Sequence, residues 1–332
     1  MAKKVVFDEL GGPEVLRIED VAIGEPGKGE LRIRVDAIGL NRAEALFRAG
    51  FYFYQPSFPS AGLGYEAAGT VEAVGEGVDG FAPGDPVSSV PAFLMNEYGT
   101  YGQQAILPAS AIVRRPDGVD AVTGASTWMA YTTAYGMLVE IGRIRPGDTV
   151  LITAASSSVG LAAIQIANHL GAIPIATTRT SAKKERLLQA GAAYVIATEE
   201  EDVVEQVHAL TGGSGAALAV DSVAGQAVHK VSTAVAPGGI LVLYGALDPV
   251  PIPLPIAADL RGRAIHWYSF FELAMDQPQQ RRRAEHFINA GLRAGTLSPV
   301  IDRTFDLDDV VQAHHHLESN AQLGKIVLTV RH

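Results

Sequence analysis

Apolar and polar positions alternate in short runs through the first third of the chain. Leu31-Arg32-Ile33-Arg34-Val35-Asp36-Ala37 puts every second residue on one face, and Gly69-Thr70-Val71-Glu72-Ala73-Val74 repeats the habit. A period of two predicts half-buried strands of an antiparallel sheet. Phe81-Ala82-Pro83-Gly84-Asp85-Pro86-Val87 supplies the turn between two more strands, since Pro presets φ and Gly frees it where the chain must reverse.

From about residue 122 the period changes. Short continuous apolar runs bounded by Gly, Asp and Pro alternate with stretches of helical period. Strands are predicted at Thr149 to Ala154, Ile173 to Thr177, Tyr194 to Ile196, Ala217 to Asp221 and Ile240 to Tyr244. Helices are predicted at Val159 to Leu170, Lys183 to Ala190, Asp202 to Leu210 and Gly225 to Val235. That alternation spells βαβ units on a parallel sheet. Ligands of such sheets bind at the carboxyl ends of the strands, so the loops after residues 154, 177, 221 and 244 are expected to face one crevice. Beyond Gly262 come an amphipathic helix near Arg281 to Gly295, another near Asp308 to Ser319, and a last strand from Lys325 to Val330. The expected fold is therefore α/β with two domains. An antiparallel β domain spans 1–121, a doubly wound parallel-sheet domain spans 122–262, and a return segment, 263–332, completes the first.

The 332 residues suit two hydrophobic cores better than one. A net charge of −10 supplies no general basic face for nucleic acid or an anionic membrane, although a local basic pocket is compatible with it. No cysteine is present, which removes disulfides and thiolate metal sites. No apolar run reaches the roughly 18 residues of a membrane span. The start, Met1-Ala2-Lys3-Lys4-Val5-Val6-Phe7-Asp8, lacks a signal peptide's apolar core, so the expected location is cytoplasmic.

Candidate chemistry begins at Val150-Leu151-Ile152-Thr153-Ala154-Ala155-Ser156-Ser157-Ser158-Val159-Gly160, a strand, a tight turn and a helix start. A pyrophosphate site needs a tight turn, backbone close to the phosphates and a helix N-terminus aimed at them. Small side chains and Gly160 meet those needs, although serines stand where a dinucleotide fingerprint has glycines, so the turn must differ in shape. The bland alternative is a purely structural turn. After the next strand, Ala176-Thr177-Thr178-Arg179-Thr180-Ser181-Ala182-Lys183-Lys184 offers no acid for ribose hydroxyls. Its hydroxyls, with Arg179 and Lys183, suit a 2′-phosphate instead, and NADPH is expected over NADH.

Taken together, these motifs resemble the medium-chain dehydrogenase/reductase superfamily, specifically its zinc-free quinone oxidoreductase (zeta-crystallin-like) branch. The landmarks include Gly11-Gly12-Pro13-Glu14-Val15-Leu16, Ala37 to Glu44, Gly64-Tyr65-Glu66-Ala67-Ala68-Gly69, Pro146 to Val150, the serine turn, Val220-Asp221-Ser222-Val223 and Gly324-Lys325-Ile326-Val327. They run the length of the chain. The resemblance implies a GroES-like β domain, a Rossmann domain, and hydride transfer from NADPH to a quinone or an activated α,β-unsaturated carbonyl. Zinc is not expected: the family's three metal-ligand positions fall at Asn41, Tyr65 and near Met129, none of the usual N/S set.

The matching positions put Asn41 and Tyr52 where nicotinamide and substrate meet. Either could hydrogen-bond a developing oxyanion, and Tyr52 could donate a proton, with Tyr54 an alternative donor. For the cofactor, the resemblance points to Asn41 and Thr133 at the nicotinamide end and to Ser158 and Val159 at the pyrophosphate. Thr178, Arg179 and Lys183 fall at the 2′-phosphate, Val223, Tyr244, Gly245 and Leu247 at the ribose and nicotinamide, and Phe270 and Phe271 beside the nicotinamide. A tyrosine that helps hold the 2′-phosphate in close relatives falls at Ala197. A homodimer is expected, paired through edge strands near Ile240 to Leu247. The competing readings are an alcohol/aldehyde or enoyl-thioester oxidoreductase and a non-catalytic NADPH-binding redox sensor.

Three features tempt. His314-His315-His316 point about 100° apart on a helix, so they are expected to be structural. Arg281-Arg282-Arg283 reads as a solvated helix face. Glu66 reads as a hydrogen-bonded structural acid.

Overall fold

The computed structural model describes residues 1–248, 250–252 and 261–332 and falls into two compact units. One comprises Met1–Met129 and Ser298–His332, the other Ala130–Leu297. These limits differ from the expected division at both ends. Residues 122–129 go with the β unit, where the short helix Ala121–Gly124 packs on its strands, and residues 263–297 go with the parallel-sheet unit, whose sheet they extend.

In the first unit, β1 (Ala2–Val6) and β2 (Arg17–Val21) form an antiparallel pair. The main sheet is built on β3 (Glu30–Gly39), whose burial alternates along its first half as the period of two requires. It pairs antiparallel with β4 (Glu66–Val74) on one side. On the other it meets β6 (Gln104–Pro108) with its first half and the C-terminal strand Lys325–Thr329 with its last residues. β5 (Pro86–Ser89) and β7 (Ile112–Arg114) extend the sheet beyond β4. The strand Ile301–Asp306 lies outside Lys325–Thr329, parallel to it. Between β3 and β4 the chain forms α1 (Arg42–Arg48) and an aromatic loop.

The second unit holds a fully parallel six-stranded sheet ordered β10-β9-β8-β11-β12-β13. Its strands are β8 (Thr149–Ile152), β9 (Ile173–Thr178), β10 (Tyr194–Ala197), β11 (Ala216–Asp221), β12 (Val235–Leu243) and β13 (Ala264–Trp267). Leu151, Ile175, Ile196, Leu241 and Val207 are buried in its core cluster. In chain order this is the 3-2-1-4-5-6 arrangement, with the order reversing between β8 and β11. A ligand crevice is expected outside the carboxyl ends at that reversal.

β8 runs through the serine turn into the helix Ser158–His169. Gly160 is where helix and turn touch: a methyl there would lie 2.6 Å from the Cα of Ala155, so no larger residue fits without moving backbone. The altered shape expected of a glycine-poor turn is present, because Ala154 takes φ +44°, a left-handed conformation that a Cβ disfavours.

One expectation needs correction. β12 is not an edge: β13 pairs along it from Ala264 to Trp267, so residues 240–247 cannot dock a second sheet. β13 is the outer strand among the described residues, and it is exposed along its whole length.

Candidate functional site

In the parallel-sheet unit, the loops leaving β8, β9, β11 and β12 meet at one rim. The Thr153 hydroxyl donates to the carboxylate of Asp221 at 2.5 Å, and the Ala155 N–H donates to the Thr177 carbonyl at 3.1 Å. Asp221 is fully buried and also accepts the N–H groups of Val223 (3.2 Å) and Ala224 (2.9 Å), which fixes the turn after β11. The β12 loop zips onto that turn: Tyr244, Leu247 and Asp248 donate backbone N–H to Asp221, Ser222 and Val223. Gly245 lies so close that a methyl would stand 3.1 Å from the Ser222 carbonyl.

Two features of this rim have the chemistry of a phosphate cradle. The Ser157 hydroxyl caps its helix by accepting the Gly160 N–H at 3.0 Å. The N–H groups of Ser158 and Val159, in the helix's first turn, have no acceptor among the described residues. Beside them, the Lys183 ammonium donates to the Ser156 hydroxyl at 3.3 Å. Two oriented N–H groups, a hydroxyl and a cation suit a pyrophosphate. The Tyr244 hydroxyl is buried at the same rim beside Ser222 and Ser157, with no well-formed hydrogen bond among the described residues, and burial pushes its pKa up to about 12. An orphaned donor there fits a ligand hydroxyl.

The loop after β9 splits its charges. Lys184 pairs with Glu201 at 3.3 Å, whereas the exposed Arg179 guanidinium makes no hydrogen bond or ion pair among the described residues. Ala197 is buried at the end of β10, and Glu201 accepts its N–H at 2.9 Å. Phe270 and Phe271 follow β13 with ring centroids 4.2 Å apart. Thr133 is buried in the helix Trp128–Tyr135.

Asn41 and Tyr52 belong to the other unit. Asn41 precedes α1 and is held at both ends of its amide. Its oxygen accepts from the Lys325 ammonium at 2.6 Å, and its nitrogen donates to the Gly39 carbonyl (3.3 Å) and to Glu44 (3.2 Å). Ammonium can only donate, so the amide orientation is fixed and no N–H remains for a substrate. Lys325 also pairs with Glu66, both almost completely buried, and Glu66 accepts the Met129 N–H at 2.8 Å. Glu66 is thus part of a buried ion pair, as its structural reading anticipated. With a phenol at 65, a thioether at 129 and an ammonium on the Asn41 oxygen, this pocket has the wrong donors and the wrong charge for Zn²⁺.

Glu44 is fully buried and accepts the N–H groups of Asn41 (2.6 Å) and Tyr65 (3.3 Å). Burial outweighs Lys325 and these donors and pushes its carboxyl up to about 7. A carboxyl pKa raised in the folded state means the folded chain holds the extra proton. Stability is therefore full below about pH 4.5 and falls as pH rises to 7, by roughly 3 kcal/mol. His314, buried and held down to about 3 chiefly by desolvation, imposes the opposite slope, losing stability as pH falls below 6.5. Comparing wild type with Glu44→Gln by urea unfolding at pH 5 and pH 8 cancels the His314 part. The variant should gain on wild type by that amount at the higher pH, and a pH-independent difference would refute the shift.

Tyr52 and Tyr54 converge on Tyr65. The Tyr65 hydroxyl donates to Tyr52 at 3.3 Å and is hydrogen-bonded to Tyr54, which accepts the Met95 N–H at 2.9 Å. The phenyl groups that alternate with them along the loop, Phe51 and Phe53, are 81% and 68% exposed. Sequence reasoning met Tyr65 only as a metal position, and Glu44 and Lys325 only within landmark motifs. The three histidines go three ways: His314 to Arg48, His315 to Glu14 and His316 to Asp302. Arg281 and Arg283 pair with Glu285 and Glu140. Trp128 fills core, whereas Trp267 is exposed on β13.

An antiparallel β unit and a 3-2-1-4-5-6 parallel-sheet unit in one chain match the architecture of the medium-chain dehydrogenases/reductases. The family models Alcohol dehydrogenase GroES-like domain and Zinc-binding dehydrogenase match residues 27–117 and 158–287. The chain is similar to a quinone oxidoreductase of Pseudomonas aeruginosa, 34% identical with 99% of each chain covered, and to a 2-haloacrylate reductase of a Burkholderia species, 30% identical over 99% of each. It superimposes on the NADPH complex of Escherichia coli quinone oxidoreductase with a TM-score of 0.91 at 28% identity, covering 99% of this chain and 100% of that one. The chain belongs to the quinone oxidoreductase family of the medium-chain dehydrogenases/reductases. Among its described residues no helix is long and apolar enough to cross a membrane.

Proposed function

We propose that the protein is a zinc-independent, NADPH-dependent oxidoreductase that transfers hydride to a quinone or an activated α,β-unsaturated carbonyl. The observation that carries this reading is the cradle at the rim of the parallel sheet, where the N–H groups of Ser158 and Val159, without an acceptor among the described residues, stand beside Lys183. The named activities of the relatives support it. When bound, NADPH supplies the hydride, and the protein supplies position and charge.

In this reading Ser158 and Val159 hold the pyrophosphate, and Thr178, Arg179 and Lys183 the 2′-phosphate. Val223, Tyr244, Gly245 and Leu247 hold the ribose and nicotinamide, with Thr133, Phe270 and Phe271 beside the ring. Tyr52 donates to the substrate oxygen, while Asn41, its amide spent on Lys325, Gly39 and Glu44, acts as a positioning residue. The enzyme is a cytoplasmic homodimer in this account. The outward Ile265 and Trp267 of β13 support pairing at that edge, and the absence of cysteine suits a reducing compartment.

Initial rates with a panel of quinones and enones test the reading. NADPH should be oxidised at a kcat/KM about 10- to 100-fold above that for NADH, the worth of one or two charged hydrogen bonds to the extra phosphate. Equal use of NADH would sink the 2′-phosphate assignment, and tight NADPH binding without turnover would favour the redox-sensor reading.

A further inference from the structure

The tyrosine cluster has a direction. A hydroxyl carries one hydrogen. The Tyr65 hydrogen is spent on Tyr52, so the hydrogen bond between Tyr54 and Tyr65 must be donated by Tyr54. Tyr54 meets that demand, because its own oxygen accepts the Met95 N–H. The chain of donation therefore runs Met95 to Tyr54 to Tyr65 to Tyr52, and it stops there: the Tyr52 hydroxyl hydrogen has no acceptor among the described residues. Aligned hydroxyls polarise one another, so the last in the row is the strongest donor.

We propose that Tyr54 and Tyr65 are positioning residues of a one-way proton relay that ends on Tyr52 and restores its proton after each reduction. The inference rests on the reading of the chain as a hydride-transferring reductase with Tyr52 as donor. The substrate that has taken a hydride carries negative charge on oxygen. The Tyr52 O–H bond breaks as the substrate O–H forms. The Tyr65 proton moves to the Tyr52 oxygen, the Tyr54 proton moves to Tyr65, and Tyr54 takes one proton from water. Both electrons come with the hydride, and the net cost is one solvent proton.

Electrostatics agree with that order. Burial pushes all three phenols up, with the Glu44 carboxyl adding to the effect on Tyr52 and Tyr54 and Glu97 on Tyr54, so all three stay protonated at neutral pH. Tyr54 is raised least, to about 12, its burial being opposed by the Met95 N–H that it accepts. Transient negative charge is therefore best held at the end of the chain farthest from the substrate.

The test uses the full-length chain and three variants, Tyr52→Phe, Tyr65→Phe and Tyr54→Phe. With NADPH and a quinone or enone, Tyr52→Phe should lower kcat about 100-fold and Tyr65→Phe on the order of 10-fold, with NADPH affinity measured by fluorescence unchanged. In mixtures of H₂O and D₂O, wild-type kcat should fall along a bowed curve, the mark of several protons in flight, and Tyr65→Phe along a straight line. A Tyr65→Phe variant with wild-type kcat, or with a slower kcat on the same bowed curve, overturns the relay and leaves the reductase standing. A wild-type chain that turns over no quinone or enone overturns both. Without cofactor, NMR of labelled tyrosine should show slowly exchanging hydroxyl protons that disappear in Tyr65→Phe, and fast exchange in the wild type would also overturn the relay.

Discussion

Lys325→Met should destabilise the fold by about 3–5 kcal/mol, a large part of a domain's stability. The ammonium it removes is 1% exposed and pairs with a Glu66 carboxylate equally buried. Methionine matches the volume of the stem, so little packing is lost, and the effect isolates the charge. What remains among the described residues is an anion that accepts only the Met129 N–H, and an Asn41 oxygen that has lost its donor. Breaking a buried pair costs more than never having built one, because the surviving charge stays desolvated. The double variant Lys325→Met with Glu66→Gln should therefore recover much of the loss. Urea unfolding reads both as shifts in midpoint at constant slope. A single variant within about 1 kcal/mol of wild type, or a double variant no better than the single, would contradict the account.

That ion pair joins residues 259 apart in the chain, and Lys325 reaches Asn41 across 284. Neither separation leaves a trace in local periodicity, which is why Lys325 was legible only as part of a landmark. The elements that were legible are those whose burial follows a period. β3 alternates, and β8, β9 and β11 each carry a continuous apolar run, Val150 to Ile152, Ile173 to Ala176 and Ala216 to Val220, so their positions could be read within a residue or two. β13 could not, because all four of its residues are exposed and no face is marked. Missing it moved the expected dimer edge to β12. The start of β12 was hidden too, since Val235-Ala236-Pro237-Gly238-Gly239 reads as a turn, yet the strand runs through it with a register shift and Gly238 at φ +78°. In the candidate site, the turn that brings Ser158, Val159 and Lys183 together was legible because a strand, a tight turn and a helix start are local backbone chemistry. The Tyr65 link was not, since its partners lie 11 and 13 residues back and meet it only through the fold.

Ser158→Phe should weaken NADPH binding by at least about 100-fold while leaving the thermal midpoint within a few degrees of wild type. Ser158 opens its helix with a partly buried side chain, and the capping hydroxyl belongs to Ser157, so the cap survives the change. What the ring would cover is the space in front of the Ser158 and Val159 N–H groups, which have no acceptor among the described residues, the Ser156 hydroxyl and the Lys183 ammonium. A phosphate excluded from that space loses several charge-assisted hydrogen bonds at once, each worth about 1.5–3 kcal/mol. Arg179→Ala separates the pyrophosphate from the 2′-phosphate. Its guanidinium has no protein partner to leave stranded among the described residues, so the fold should be indifferent and NADPH affinity should fall about 10-fold while NADH affinity holds. Titration calorimetry with both nucleotides distinguishes the possibilities. Unchanged NADPH affinity in Ser158→Phe would mean that the phosphates lie elsewhere on the rim, and equal losses for both nucleotides in Arg179→Ala would move that arginine from the 2′-phosphate to a part the two share.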